Sequence, residues 1–230
     1  MSAGLLGEAG HRLLDRWCRT PAARGYAAEL IARYQPTHAE VVHNPHHTQE
    51  WAQAIVRAPL LVNPVRDMLG PDIAVENSFL VIKWPGRAFE VPWHQDGIND
   101  RLRLAPGRSV AAWLALTDAP LDSGCLHVVP GSQRAGYLAY DVEQNTGAAR
   151  GRALGAKVAD GTVGVPVPVE AGQGLLMDTR LLHCSHTNHS QTPRVGLNIR
   201  YVAPDAVTMR DDSSPSLVPI CGTGWQPNPH

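Results

Sequence analysis

Glu90-Val91-Pro92-Trp93-His94-Gln95-Asp96 reads as the end of a strand, where side chains two positions apart leave the same face of the sheet. His94 and Asp96 therefore stand side by side, an imidazole beside a carboxylate, which is half of a metal site. A second histidine from elsewhere would complete two imidazoles and one carboxylate on one face of an ion. That is the ligand set of non-haem Fe(II) oxygenases, which leaves positions open for a cosubstrate and O2. Taken alone, His-x-Asp is a common pair and more often a surface loop than a metal site, so the question is what the chain brings to face it.

At 230 residues the chain is long enough for a sizeable core, and a single domain over 1–230 is expected. A formal net charge of −1, with basic residues scattered rather than clustered, gives no footprint for nucleic acid or an anionic membrane. The expected partner is a small molecule; nothing bears on oligomeric state. No apolar run reaches the roughly 18 residues of a membrane span. Met1 to Thr20 lacks the basic, then apolar, then small layout of a secretory leader. Cys18, Cys125, Cys184 and Cys221 are dispersed without C-x-x-C spacing, as free thiols in a reducing cytoplasm would be. A cytoplasmic location is expected.

The first part of the chain, about 7–69, reads as helical. Leu13, Leu14, Trp17 and Cys18 fall at one helical spacing, and Ala27, Ala28, Leu30, Ile31 and Tyr34 at another. Pro21 and Gly25 between them favour two short helices. Pro36 to His47 reads as a loop whose His43, His46 and His47 are solvated or, as the lesser alternative, touch substrate. A further helix is expected from an N-cap at Thr48 to Leu69, bent or split by Pro59 and Pro64 and stopped by Gly70-Pro71.

From about 72 to 205 the texture changes to short strands broken by Gly and Pro. They fall at Ile73–Trp84, around His94, and at Ser109–Thr117, Cys125–Val129, Thr162–Val169, Gly174–Met177, Leu181–Ser185 and Arg194–Ala203. Helices followed by many strands fit a mainly β fold with flanking helices: a double-sheet jelly roll with the helices packed on one sheet. The long polar segment 133–161 is either a lid or an irregular excursion, and 206–230 reads as an irregular tail.

His183-Cys184-Ser185-His186-Thr187-Asn188-His189 supplies the second half of the site. The Ser, Thr and Asn content and Pro193 exclude a helix, so His183 is the histidine on a rigid strand and His186 and His189 fall in the turn after it. Arg194 opens the returning strand, where its guanidinium fork suits the far carboxylate of a dicarboxylate cosubstrate. His127, on the strand before Pro130, is the leading candidate for substrate contact, with an outward-facing imidazole as the equal alternative. Trp93, His186 and Trp225 are further candidates.

Three stretches together resemble the phytanoyl-CoA dioxygenase family of Fe(II)/2-oxoglutarate oxygenases. They are Trp93-His94-Gln95-Asp96; Asp122-Ser123-Gly124-Cys125-Leu126 leading into Val129-Pro130-Gly131-Ser132; and His183-Cys184-Ser185 with Asn188, Arg194 and Arg200-Tyr201. The resemblance implies a double-stranded β-helix in which His94, Asp96 and His183 hold Fe(II), and Arg194 and Ser185 hold the distal carboxylate of 2-oxoglutarate. Lys83 and Trp113 would line the cosubstrate pocket. The chain departs from the pattern at Gln133, where the family usually has His, and at Ser123, where Asn is common.

An intact Asp96, where related halogenases carry Ala or Gly, implies hydroxylation or another oxidation without halide, with O2 consumed and succinate and CO2 released. The short chain, without a basic run for CoA phosphates, points by analogy to a secondary metabolite as substrate. Two other classes compete: a cupin-type metalloenzyme without 2-oxoglutarate, and a non-catalytic jelly roll that binds a small ligand.

Overall fold

The structure, a computed structural model, describes residues 6–141 and 155–224. Its three helices are α1 (Thr20–Tyr34), α2 (Glu50–Val56) and α3 (Pro59–Leu69). Pro21 lies in the first turn of α1, where its fixed φ and missing N–H are harmless, and the helix runs on through Gly25. One helix therefore stands where two were expected. Gln49 rather than Thr48 occupies the N-cap of α2, and the chain divides at Pro59, which again starts a helix.

The strands are, in order, β1 (His11–Leu14), β2 (Val41–His43), β3 (Ile73–Lys83), β4 (Val91–His94), β5 (Leu102–Leu104), β6 (Ser109–Ala115), β7 (Leu126–Val128) and β8 (Tyr140–Asp141). They continue with β9 (Gly155–Ala156), β10 (Val165–Val167), β11 (Gly174–Asp178), β12 (His183–Ser185), β13 (Arg194–Val202), β14 (Val207–Met209) and β15 (Val218–Cys221). The larger sheet runs β1-β11-β6-β13-β3-β15, with β2 also on β3; the smaller runs β10-β7-β12-β4. Every pairing is antiparallel. Two facing antiparallel sheets with helices against the larger one are the expected jelly roll.

Three segments outside the expected strands are captured at sheet edges. His11–Leu14, read as helix, pairs with β11. The supposed tail supplies β14, on β5, and β15, on β3. The supposed loop before the second helix supplies β2, on β3. An edge strand presents unpaired N–H and C=O groups that such a segment satisfies, so its partner decides its conformation more than its own periodicity does.

β6 and β13 are buried along their whole length, and alternation divides each between two layers. Val110, Ala112 and Leu114 of β6 and Val195, Leu197, Ile199 and Tyr201 of β13 pack with the helices, among Leu30, Ile55, Val56, Leu61 and Val65. The opposite face of β6, Ala111, Trp113 and Ala115, packs between the sheets with Leu126, Val128, Leu175 and Met177. The opposite face of β13 is polar and lines a cavity.

Tyr201 ties the helical layer to the sheet: its buried hydroxyl donates to the Val56 carbonyl at the end of α2, 2.9 Å away. Tyr201→Phe is expected to cost about 1 kcal/mol of folding stability, read from the urea midpoint, with the slope of the transition unchanged.

Candidate metal centre and cosubstrate pocket

His94 ends β4 and His183 opens β12, and the two are register partners across the smaller sheet. Their ring centroids lie 4.0 Å apart. Each Nδ1 sits 2.9 Å from a carbonyl two residues back, Pro92 O for His94 and Leu181 O for His183. A carbonyl only accepts, so in the neutral rings the proton is on Nδ1 and the lone pair on Nε2. Both Nε2 atoms face Asp96, at 3.7 Å from Oδ1 and 3.6 Å from Oδ2. The three side chains are buried, and one ligand atom from each lies within 4.8 Å of the others.

Asp96 is held from the opposite side by β13. Asn198 Nδ2 donates to Oδ2 at 3.0 Å and Arg200 Nη2 to Oδ1 at 3.1 Å. Burial by itself raises the Asp96 carboxyl. Arg200, the two imidazoles and Asn198 overcome it and hold the carboxyl well below the ordinary carboxylate range. Two imidazole nitrogens and an ionised carboxylate are a donor set suited to a divalent first-row metal.

β13 serves the whole pocket by its period of two: Arg194, Gly196, Asn198 and Arg200 share one face. Arg194 stands about 13 Å along the strand from Asn198. It is buried and lines the cavity. One Nη donates to Gly124 O at 2.6 Å, while Nε and Nη1 have no hydrogen-bond partner among the described residues. Burial pushes this guanidinium down only to about 10, so it stays charged at neutral pH. A buried cation that lines a cavity and keeps unpaired N–H groups suits a carboxylate. Trp113 lies under it, ring centroid 5.2 Å from the guanidinium carbon. Gly196 leaves room for that indole, which a Cβ would approach to 2.5 Å.

The cavity measures about 430 Å³, and His94, Asp96, His183, Arg194, Ser185 and Trp113 all line it. Lys83 does not line it, contrary to expectation. Directly opposite Arg194 in the sheet, its ammonium donates to Phe89 O at 3.0 Å and Ser185 O at 3.1 Å. Burial, with Arg194 nearby, pushes it down to about 6.

The expected substrate contacts are corrected. Leu126 lines the cavity and Val128 is core, so His127 between them faces out, edge-on to His186 at 4.5 Å. A Cβ on Gly164 would meet both Trp93 and His127, which places Trp93 on the same outer face. None of His127, His186 and Trp93 lines the cavity. Trp225 lies outside the described residues, as does 142–154 of the expected lid. On either side of that segment, Leu138, Tyr140, Gly155 and Ala156 line the cavity, with β8 paired to β9.

Of the three early histidines, His43 and His47 are exposed, as a solvated loop would leave them, and only His46 departs from that reading. His43 and His47 line the cavity, and His46 is buried with Nδ1 2.6 Å from Ser78 Oγ. Glu76, Asn198 and Arg200 were missed as cavity residues. Arg194, Asn198 and Arg200 at even positions of an apolar strand were the signal for two of them. Gln133 is buried away from the pocket and donates to Glu8 O at 3.0 Å, pinning the N-terminal segment.

The fold and site are together those of a double-stranded β-helix carrying a two-histidine, one-carboxylate centre. The sequence matches the phytanoyl-CoA dioxygenase (PhyH) family over residues 10–196, and the chain belongs to that family. It is 28% identical to phytanoyl-CoA dioxygenase domain-containing protein 1 of Mus musculus, over 84% of this chain and 57% of that one. The chain spans about half the length of the curated relatives it matches. Among solved structures it resembles the non-haem monooxygenase ThoJ, with a TM-score of 0.78, 24% identity, and coverage of 94% of this chain and 82% of that one. It also resembles the epimerase SnoN in complex with Fe3+, alpha-ketoglutarate and nogalamycin RO, with a TM-score of 0.71, 18% identity, and 89% and 82% coverage. No helix among the described residues is long and apolar enough to cross a membrane.

Three outcomes are expected. In anaerobic Fe(II) titrations His183→Ala loses stoichiometric binding while His186→Ala keeps it, and Asn198→Ala weakens it by about 10–100-fold without being a ligand. Lys83→Met gains most over the parent in thermal stability near pH 6, and the gain shrinks toward pH 10. The reason is that the unfolded chain protonates this lysine up to its ordinary pKa, whereas the folded chain gives up the proton above about 6.

Proposed function

We propose that this protein is a non-haem Fe(II)/2-oxoglutarate-dependent oxygenase that oxidises a small molecule, most simply by hydroxylation, with release of succinate and CO2. The observation that carries the reading is the pairing in one cavity of a buried His94, Asp96 and His183 cluster with a buried Arg194 that has two unpartnered guanidinium nitrogens. A cupin-type metalloenzyme without a keto acid has no use for that second element, and a passive binding module has no use for the first. Family membership and the iron- and keto-acid-bound SnoN support the same reading.

When bound, iron supplies O2 activation coupled to decarboxylation of the keto acid. The chain's own residues do the rest. His94, Asp96 and His183 would hold the ion, and the Pro92 and Leu181 carbonyls fix the imidazoles in the binding tautomer. Asn198 and Arg200 keep Asp96 ionised and aimed. Arg194 would take the distal carboxylate, since it stands at the start of β13 and Asn198 and Arg200, which hold Asp96, lie further along the same strand. Trp113, Leu126, Phe89 and Val91 supply apolar walls that exclude water.

Ser185 lines the same cavity as Arg194 and is assigned to the cosubstrate carboxylate; Lys83 fixes its backbone by donating to its carbonyl. A cavity of about 430 Å³ is in the ordinary range for small-molecule sites, and the substrate is read as a secondary metabolite, free or attached to a carrier.

Anaerobic addition of 2-oxoglutarate to the Fe(II) protein is expected to raise a visible charge-transfer band. Arg194→Ala should weaken keto acid affinity at least about tenfold, while Asp96→Ala should end succinate formation with the fold retained by circular dichroism. Metal binding with no response to 2-oxoglutarate would favour the cupin-type alternative.

A further inference from the structure

We propose that a bulge in β3 builds a polar subsite, formed by Glu76, Asn77, Asn198 and Arg200, that receives a hydroxyl-bearing part of an uncharged substrate. This rests on the oxygenase reading above and assigns the substrate class to the far end of the same cavity.

Alternation along β3 starts regularly. Asn77, Phe79 and Val81 line the cavity, while Ser78, Leu80 and Ile82 face the helical layer. Continued without interruption, the pattern would turn Glu76 toward the helices. It does not continue: opposite β13 the register passes from Asn77 with Arg200 to Val75 with Tyr201, which leaves Glu76 as an extra residue. Val75 and Ile73 then take the core positions, and Glu76 joins Asn77 in the cavity wall. Bulges re-aim side chains in this way beside active sites; here the residue re-aimed is an acid.

The subsite has both acceptors and donors to offer. Glu76 Oε2, Asn77 Oδ1, Asn198 Oδ1 and Arg200 Nε are buried atoms without hydrogen-bond partners among the described residues, and buried polar atoms are rarely left so. The orientation of Asn198 is fixed, because its Nδ2 must be the group that donates to the Asp96 carboxylate; its oxygen is the acceptor. A hydroxyl both donates and accepts, so it suits a wall that presents Glu76 and Asn198 oxygens with an Arg200 N–H.

Charge narrows the class further. Arg200 lies between two acids, 3.1 Å from Asp96 and 3.8 Å from Glu76. With a divalent ion and a dianionic keto acid in place, the formal charges of Asp96, Glu76, Arg194 and Arg200 cancel, as do those of Asp100 and Arg101 in the same lining; burial raises the Glu76 carboxyl and Arg200 opposes that rise. Lys83, at about 6, adds none at neutral pH. No unbalanced carboxylate remains for an amine and no unbalanced cation for an acid. Phe79, Val81, Ile98, Leu102 and Leu138 supply apolar lining near the subsite, so the body of the molecule is apolar and its hydroxyls are directed at Glu76.

The test uses the full chain loaded with 2-oxoglutarate and Zn(II) in place of iron. Three probes share one ring: trans-1,2-cyclohexanediol, cyclohexylamine and cyclohexanecarboxylate, with binding read by ligand-observed NMR. The diol is expected to bind at least about fivefold more tightly than the other two, and to lose at least about fivefold in Glu76→Ala. If that variant does not fold, the isosteric Glu76→Gln serves, with at least about threefold loss expected. Equal binding of the three probes, preference for the amine or the acid, or diol binding indifferent to Glu76 overturns the subsite. The charge-transfer titration of the Fe(II) protein separates the two failures: a normal band with indifferent probe binding sinks the subsite alone, and no band sinks the oxygenase reading as well.

Discussion

Asp96 is a carboxylate that burial would drive toward its neutral form, and the site exists because the fold prevents that. An isolated buried charge is expensive, and removing one partner from a buried ionic group costs more than the pair contributes. The carboxylate is surrounded by two imidazoles from the smaller sheet and by an amide and a guanidinium from the larger one. Neither sheet stabilises it alone. The distance between the sheets and the register of β4 on β12 are therefore constrained by chemistry as well as by packing.

The larger sheet meets this requirement by having two buried faces with different tasks. On β13, Val195, Leu197, Ile199 and Tyr201 are committed to the helices, while Arg194, Asn198 and Arg200 are committed to the cavity. A one-residue slip would exchange the two sets and put three polar side chains into an apolar layer. The same pairing that fixes the core thus fixes where the guanidinium of Arg194 stands relative to the metal ligands. The bulge opposite Arg200 is the exception, and it occurs where an acid would otherwise enter that layer.

Much of this is legible in the order of residues. The long strands Ile73–Lys83 and Arg194–Val202 carry their β-branched residues, their breakers and their alternation openly. His94, Asp96, His183 and Arg194 can be singled out before any coordinates, the first two by spacing and the full set through the family resemblance. The short edge strands β1, β2, β14 and β15 were not legible. Three or four residues hold too little periodicity to tell strand from helix or loop, and their conformation comes from hydrogen bonds offered by a neighbour distant in sequence.

Sequence by itself determined the fold class and the chemical types meeting at the centre, because hydrophobic alternation and ligand spacing are local properties of the chain. Only the tertiary structure decided which polar residues share the cavity. It turned His127, His186 and Trp93 outward, brought Asn198 and Arg200 onto Asp96, and placed Glu76 in the wall through one extra residue. Which face a side chain takes depends on strand register and on the position of a bulge, and both are set by pairing between segments more than a hundred residues apart, such as β3 and β13.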